Sequence, residues 1–434
     1  MKKFLVTLLI LTTVFCSLEI PLNLIPHIGE VKNVETPRFS LDLDVEPRHR
    51  WDHIVPTFKP AIQKFVKLVD ALNIPKSVFT GLALFAETQS TYKEFVAELK
   101  GIGEKADVDW KKMLLVNFLY DISSLIPHPY FCSSIVALQK DGTCIHGRNL
   151  DFWPWGLISK DSAYIDVYQE GKQIATFHQP IGAVMVLSGV RTGSFSVTVD
   201  TRIYKIDGKN QKEVIEALVD NIIVKKFMPS TFLTRNVLQT KGITYEQATK
   251  TLKNTDTTAP IYYIVAGLNA GSVIEKEPVG YHGFYEIGPN NGPDGEWYIV
   301  QTNYDRWEDP GLDDRRTPAE KRLNSIGKNR ITLDLLNDEV MAQYPNFNIA
   351  TIYTSMFYPS NGKNDLILMY GNIDDIRQTS QSNDPDITIF SDSLREIVQQ
   401  QQSMPEEDMS YLIQYFNKKI EEWIETEYQG EILA

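Results

Sequence analysis

The feature that most restricts the fold of this 434-residue chain is a train of short strand-like runs joined by tight turns, beginning at residue 131. FCSSIVALQKDGTCIHGRNLDF reads as a strand, a turn at Asp141-Gly142 and a second strand, and SAYIDVYQEGKQIATFHQ turns back at Glu170-Gly171. AVMVLSG, SFSVTVDTRIYKI, PIYYIVAGL, GSVIEKEP, EWYIVQTNYDRW and NIATIYTSMFY continue the pattern. Helical runs gather in blocks. One covers 57–125, where Phe58, Ile62, Phe65 and Val66 open an apolar face; another runs roughly from Lys212 to Lys250. Hairpin strands with helices in blocks predict an α+β domain with mostly antiparallel sheets. A last segment, 360–434, holds a turn at Asn361-Gly362 and a final helix from near Ser403, with Phe416, Ile420 and Trp423 on its apolar side.

The start reads as a secretory signal over 1–17. Lys2 and Lys3 precede an apolar stretch, Phe4 to Phe15, that is too short to span a bilayer. The net charge of −13 argues against nucleic acid as a partner, because phosphate recognition needs a basic surface. Of three cysteines, Cys16 falls in the signal, which leaves Cys132 and Cys144 and at most one bridge. No N-x-S/T sequon occurs, so N-glycosylation is not expected.

Several motifs lose to simpler readings. GIGEKA at 101–106 fits a dinucleotide pattern, but the preceding VAELK reads as helix rather than strand. His49 and His53 have helical metal-ligand spacing with no third ligand in view. NNGPDGE at 290–296 reads as a turn, and no G-x-S-x-G elbow is present.

Cys132 is different. If 132–137 and 144–150 pair as a hairpin, the second strand returns Arg148 and Asp151 to the end where Cys132 stands. A cation near a thiol favours the reactive thiolate, and a carboxylate there could hold an ammonium. Taken singly, each residue has a plainer reading: a buried structural cysteine, a surface ion pair, a turn.

The joint pattern CSSIV, HGRNLDF, LSGVRTGSFSVTVDTR, WYIVQTNYDRW and LDDRRTPAEKRLN, in this order, resembles the acid ceramidase family. That family includes the acid amidase of N-acylethanolamines, with bile-salt and penicillin V amidases as distant kin. The resemblance spans about Leu41 to Tyr358. It implies the four-layer αββα sandwich of N-terminal-nucleophile hydrolases, with a helical N-terminal region. It implies self-cleavage between Phe131 and Cys132, giving an α chain, 18–131, and a catalytic β chain, 132–434, that carries the 360–434 extension. It implies Cys132 as nucleophile, Arg148 and Asp151 as its supporting pair, Asn303 as oxyanion donor and Arg315 as a further active-site arginine. Thr201 stands where the family often has Glu, the expected disulfide cysteines are absent, and Cys144 replaces an aliphatic residue.

The expected activity is hydrolysis of the amide of an N-acylated lipid, ceramide before N-acylethanolamine, in a lysosome or outside the cell, with no metal and no organic cofactor. Expected partners are the lipid amide at a membrane surface and the two chains of one precursor, with a lipid-presenting activator protein as a further candidate. Two other readings compete: a catalytically silent lipid carrier, and a papain-like protease using His128 or His146 with Cys132.

Overall fold

Along β2 (Ser133–Leu138) and β3 (Cys144–Asp151) every residue is buried, so these strands are covered on both faces. Odd positions (Ile135, Ala137, Ile145) pack into one apolar cluster, and even positions (Val136, Leu138, Cys144) into another. The period of two therefore sorts one hairpin between two layers. A computed structural model of the chain describes residues 36–71, 75–125, 132–151, 161–288, 296–310, 314–347, 351–368 and 406–425. The signal segment, Phe131 and most of the 360–405 stretch lie outside these residues.

The strands form two sheets. The larger has the order β1-β4-β5-β6-β7-β8-β9-β10. Its strands are β1 (Arg38–Asp42), β4 (Ser162–Gln169), β5 (Lys172–Pro180), β6 (Ser188–Arg191), β7 (Phe195–Thr201), β8 (Ile261–Ala266), β9 (Gly271–Lys276) and β10 (Tyr281–Ile287). The smaller has the order β11-β2-β3-β12-β13, with β11 (Tyr298–Gln301), β12 (Thr351–Tyr358) and β13 (Lys363–Leu368). All pairings are antiparallel except β1 with β4.

The outer face of the larger sheet, including Phe195, Val197 and Val199, packs on α1 (Val55–Ala71), α2 (Lys76–Thr88), α3 (Lys93–Ala106), α4 (Trp110–Ile122), α5 (Gln211–Ile223), α6 (Ser230–Gln239) and α7 (Tyr245–Asn254). The outer face of the smaller sheet packs on α8 (Arg316–Ile326) and α9 (Leu333–Leu336). The result is an αββα sandwich, as the sequence implied. Helix starts follow local chemistry: Asn210 with Glu213, and Thr244 with Gln247, form capping boxes at α5 and α7. The final helix α10 (Glu406–Trp423) lays Trp423 edge-on against Phe85 of α2, 5.6 Å between rings, and its Tyr415 donates to Asp220 of α5.

Two strand expectations shrink. AVMVLSG enters the ladder only at Ser188, because the Val184 and Met185 N–H groups donate to the Asn117 side chain of α4. EWYIVQTNYDRW is strand only to Gln301, whose side-chain amide then donates to the Thr302 and Tyr304 carbonyls and turns the chain. The glycines of GIGEKA serve packing within α3. A Cβ on Gly101 would lie 1.8 Å from the Arg48 carbonyl oxygen, and one on Gly103 2.9 Å from the Trp110 Cβ. Gly101→Ala should therefore destabilise the protein by about 3 kcal/mol, at the upper end of the overpacking range, because backbone must move. A thermal melt of that variant checks this.

Candidate active site

The β2–β3 register pairs Ser134 with Arg148 and Ser133 with Asn149, which sets Cys132 beside the far end of β3. Gly142, with φ 83°, supplies the left-handed turn residue. Cys132 shares the parity of Ser134 and Val136, so its side chain enters the layer between the sheets. Facing it there, β7 alternates polar Ser196, Thr198 and Asp200 against apolar Val197 and Val199. This half of the inter-sheet layer is polar: Ser134 Oγ lies 3.0 Å from Thr198 Oγ1 and donates to Asp200 at 2.9 Å.

Of the four residues expected around Cys132, Arg148, Asn303 and Arg315 bring their side chains to residue 132, and Asp151 brings its backbone carbonyl. Arg148 Nη2 is 3.5 Å from Cys132 Sγ. The same guanidinium donates to the Val199 carbonyl at 2.8 Å and to Ser188 Oγ at 2.8 Å, which fixes its plane. Asp151 is fully buried and presents its backbone carbonyl 3.8 Å from the sulfur. Asn303 Oδ1 accepts from the Cys132 N–H at 2.7 Å and from Arg315 Nη2 at 2.9 Å. Arg315 also donates to the Cys132 carbonyl, and to Ser133 Oγ at 3.1 Å.

In the continuous chain Asn303 turns its oxygen to residue 132 and donates one Nδ2 hydrogen to the Thr201 carbonyl at 2.9 Å. The physical reason is local: a peptide N–H at Cys132 needs an acceptor, and two donors converge on one Asn303 atom, which identifies it as the oxygen. Tyr120 and Asp200 were not flagged in the sequence. Tyr120 of α4 places its hydroxyl 3.8 Å from the sulfur while donating to the Val199 carbonyl at 2.9 Å. No motif marks it, since α4 reads as a core helix.

Burial pushes the Cys132 thiol above the ordinary thiol range; Arg148 pulls it down, and Asp200 and Asp151 push it up. Burial likewise opposes the Arg148 cation, yet Cys132, Tyr353, Tyr120 and Asp200 together hold it protonated. Burial raises Asp200 to about 7, although Arg148 Nε lies 3.8 Å away and counts as an ion-pair partner. The pairing is weak because Nε makes no hydrogen bond to Asp200 and both Nη groups are bonded elsewhere, so burial prevails.

His146 is not a partner of the thiol. Its Nδ1 meets Ser196 Oγ at 2.9 Å and its Nε2 meets Thr198 Oγ1 at 3.0 Å. A papain-like pairing with His146 has no geometric basis, and His128 lies outside the described residues. Cys144 is no partner either. It pairs with Leu138 at the opposite end of the hairpin, about 20 Å from Cys132 at roughly 3.4 Å per residue, too far for a bridge. Among the described residues no group of three or more His, Cys, Asp or Glu has a metal-holding arrangement. His49 lies 3.2 Å from Asp52 and His53 2.8 Å from the Ser40 carbonyl.

Burial lowers His146 and His178 to about 3 each, with Arg148 adding to the effect at His146. An unfolded histidine titrates near 6.5, so between about pH 6.5 and pH 3 the unfolded chain binds protons that the fold refuses. These histidines therefore cost stability as pH falls through that window, about 1.4 kcal/mol per pH unit each. Asp200 works the other way: raised above its unfolded value, it favours the fold on the acid side and loses that advantage as pH rises towards 7. His178→Gln should flatten the fall of the denaturation midpoint between pH 6 and pH 4 by one histidine's share. Urea titrations at several pH values measure it.

On the far side of Tyr120 lies a narrow apolar cavity lined by Phe65, Leu119, Tyr120, Leu150, Met185 and Ile352, among others, with a volume of about 60 Å³. Tyr120 belongs to both the cavity wall and the surroundings of Cys132. The sulfur itself is fully buried.

Residues 34–87 match the profile of a family described as the beta subunit of N-acylethanolamine-hydrolyzing acid amidase. Human acid ceramidase is 30% identical over 365 residues, covering 78% of this chain and 87% of that protein. The N-acylethanolamine-hydrolyzing acid amidase of Rattus norvegicus is 31% identical over 327 residues, covering 74% of this chain and 85% of that protein. Among solved structures, the Caenorhabditis elegans ortholog of that amidase aligns at 28% identity and a TM-score of 0.45, over 53% of this chain and 93% of that one.

Proposed function

The chain belongs to the family of acid ceramidase and N-acylethanolamine-hydrolyzing acid amidase, amidohydrolases of non-peptide amides, and from that premise we propose that it cleaves itself before Cys132 and then uses Cys132 to hydrolyse an N-acylated lipid. The carrying observation is the placing of residue 132. Its sulfur faces Arg148, its nitrogen meets Asn303, its carbonyl meets Arg315, and Tyr120 joins it to an apolar cavity.

In the self-cleavage, the Cys132 sulfur attacks the Phe131 carbonyl carbon. The thiol proton passes to the departing Cys132 nitrogen, and the C–N bond breaks to give an amine and a thioester. Water then hydrolyses the thioester, which frees the thiol and leaves Phe131 as a carboxylate. The fragments are 18–131 and 132–434.

In the lipid reaction, the new α-amine of Cys132 takes the thiol proton as sulfur attacks the substrate carbonyl. That amine has a model value of roughly 8. The fully buried Arg148 cation lowers the cost of negative charge on sulfur, and Asp151 opposes loss of the ammonium. The protonated amine then delivers its proton to the leaving amine, and water completes turnover by releasing the fatty acid. After cleavage the Cys132 nitrogen and Arg315 still donate to Asn303 Oδ1, and the second Nδ2 hydrogen, beyond the one given to the Thr201 carbonyl, is the donor offered to the tetrahedral oxyanion. Such a donor contributes about 3 kcal/mol to the barrier.

The apolar lining of the cavity matches the acyl chain that ceramides and N-acylethanolamines share. Ceramide is the first choice, since YDRW and DDRR resemble acid ceramidase; N-acylethanolamine is the alternative. A panel of ceramides, N-acylethanolamines and N-acyl amino acids at acidic and neutral pH tests this. Fastest release of fatty acid from ceramide at acid pH is expected. No release from any member would favour a lipid carrier instead.

A further inference from the structure

The polar alternation of β7 ends in a carboxyl that the chemistry above does not use. Asp200 is fully buried, and its Oδ2 has no hydrogen-bond partner among the described residues. Its Oδ1 accepts from Ser134 Oγ at 2.9 Å and stands 3.8 Å from Arg148 Nε, which is itself without a hydrogen-bond acceptor. The Nη2 of the same guanidinium reaches Cys132 Sγ at 3.5 Å. One buried cation therefore lies within 4 Å of two groups that can each become an anion.

We propose that Asp200 is a positioning residue that ties the reactivity of Cys132 to acid: with its proton on, it leaves the Arg148 charge to the sulfur, and when ionised it competes for that charge. This rests on the reading of Cys132 as the nucleophile. The argument is one of charge in a low-dielectric layer. A thiolate beside Arg148 forms a neutral pair, and an ionised Asp200 adds a second negative charge that draws on the same buried cation. A carboxyl carrying a proton is also the cheaper form to bury where Oδ2 has no donor to stabilise its charge.

The groups facing Asp200 come from every surrounding element. Ser134 stands on β2 with Cys132 just before it, Arg148 on β3 with Asp151 at its end, and His146 behind Thr198. Tyr120 comes from α4 and Tyr353 from β12. Arg315, just before α8, lowers the Asp200 carboxyl by its field but spends its donors on Asn303, Ser133 and the Cys132 carbonyl. Tyr262 is the ladder partner on β8, and its hydroxyl goes to Asp305. Burial holds Asp200 near 7, so it carries its proton in an acid lumen and sheds it at neutral pH and above.

The test compares wild type with Asp200→Asn, which keeps the neutral shape at every pH. Two rates are read from pH 4.5 to pH 8 on the processed protein: hydrolysis of a short fluorogenic N-acyl amide, and alkylation of Cys132 by iodoacetamide. The ratio of the pH 8 rate to the pH 4.5 rate should rise at least tenfold in the variant for both reactions, since an opposite charge shifts a thiol by about one unit or more. Ser134→Ala is the second variant. Removing the donor to Oδ1 disfavours the ionised carboxyl, so its alkaline fall-off should move to higher pH. Equal pH profiles for both variants and wild type, with normal processing, overturn the proposal. A wild type that neither processes nor hydrolyses the amide overturns the nucleophile reading instead, and the two failures are thereby distinguished.

Discussion

Cys132→Ala should leave the chain in one piece and lower hydrolysis of an N-acyl lipid by roughly a million-fold, the scale on which losing a nucleophile acts. Two measurements must move together here, because one sulfur is assigned both reactions. Electrophoresis under denaturing conditions reports cleavage, and release of labelled fatty acid reports turnover. The fold should survive. Cys132 contributes one small buried side chain, and the backbone contacts to Asn303 and Arg315 do not involve the sulfur. An alanine variant that still processes at the same bond would assign the cleavage to another group.

The second large effect lies away from the sulfur. Glu98 of α3 is fully buried and accepts from Trp51 Nε1 at 2.7 Å, from Arg50 at 2.9 Å and from both Arg235 amino groups at 2.8 and 2.6 Å. Burial alone would raise its pKa; Arg235, Trp51 and Arg50 overcome burial and hold it below the usual value. Stability from this carboxylate is therefore present above its unfolded value and is lost as pH falls through the folded one. Glu98→Gln leaves a buried arginine without its charge partner, so a loss of about 3–5 kcal/mol is expected. Adding Arg235→Gln should cost much less than it does in the wild-type background, and a double-mutant cycle by urea denaturation measures that coupling. Glu98 and Arg235 fall on opposite sides of the proposed cut, so this pair also ties the two fragments together without a disulfide.

How much of this could be read from the residues depends on distance along the chain. The hairpin that sets Arg148 beside Cys132 is local, and Asp141-Gly142 announces it, so that pairing was legible. The meeting of Asn303 and Arg315 with residue 132 was not derivable from spacing; it follows from β11 lying next to β2 in the smaller sheet. Only the family resemblance pointed to them. The alternation of SFSVTVDT did fix which residues share a face. It could not tell that the polar face is inside, because an ordinary half-exposed strand shows the same pattern. Asp200 was missed for that reason. AVMVLSG was over-read as strand because the Asn117 side chain, 67 residues away, takes the backbone donors that a ladder would use.

That two sheets are stacked came from the family resemblance, because β3 (CIHGRNLD) and β9 (GSVIEK) are fully buried yet rich in polar and charged residues. What the pattern lacked was the division of the inter-sheet layer into an apolar half, around Tyr262, Ile264 and Val273, and a polar half around Ser134, Thr198 and Asp200. That division places a cation beside the sulfur without exposing either to water.

The most direct test is intact-mass analysis with N-terminal sequencing of the purified protein after incubation at acid pH. Two fragments are predicted, the larger starting with Cys132 and carrying a free amine. A single unbroken chain that nonetheless releases fatty acid, or a cut at any other bond, would contradict the assignment of both reactions to this residue.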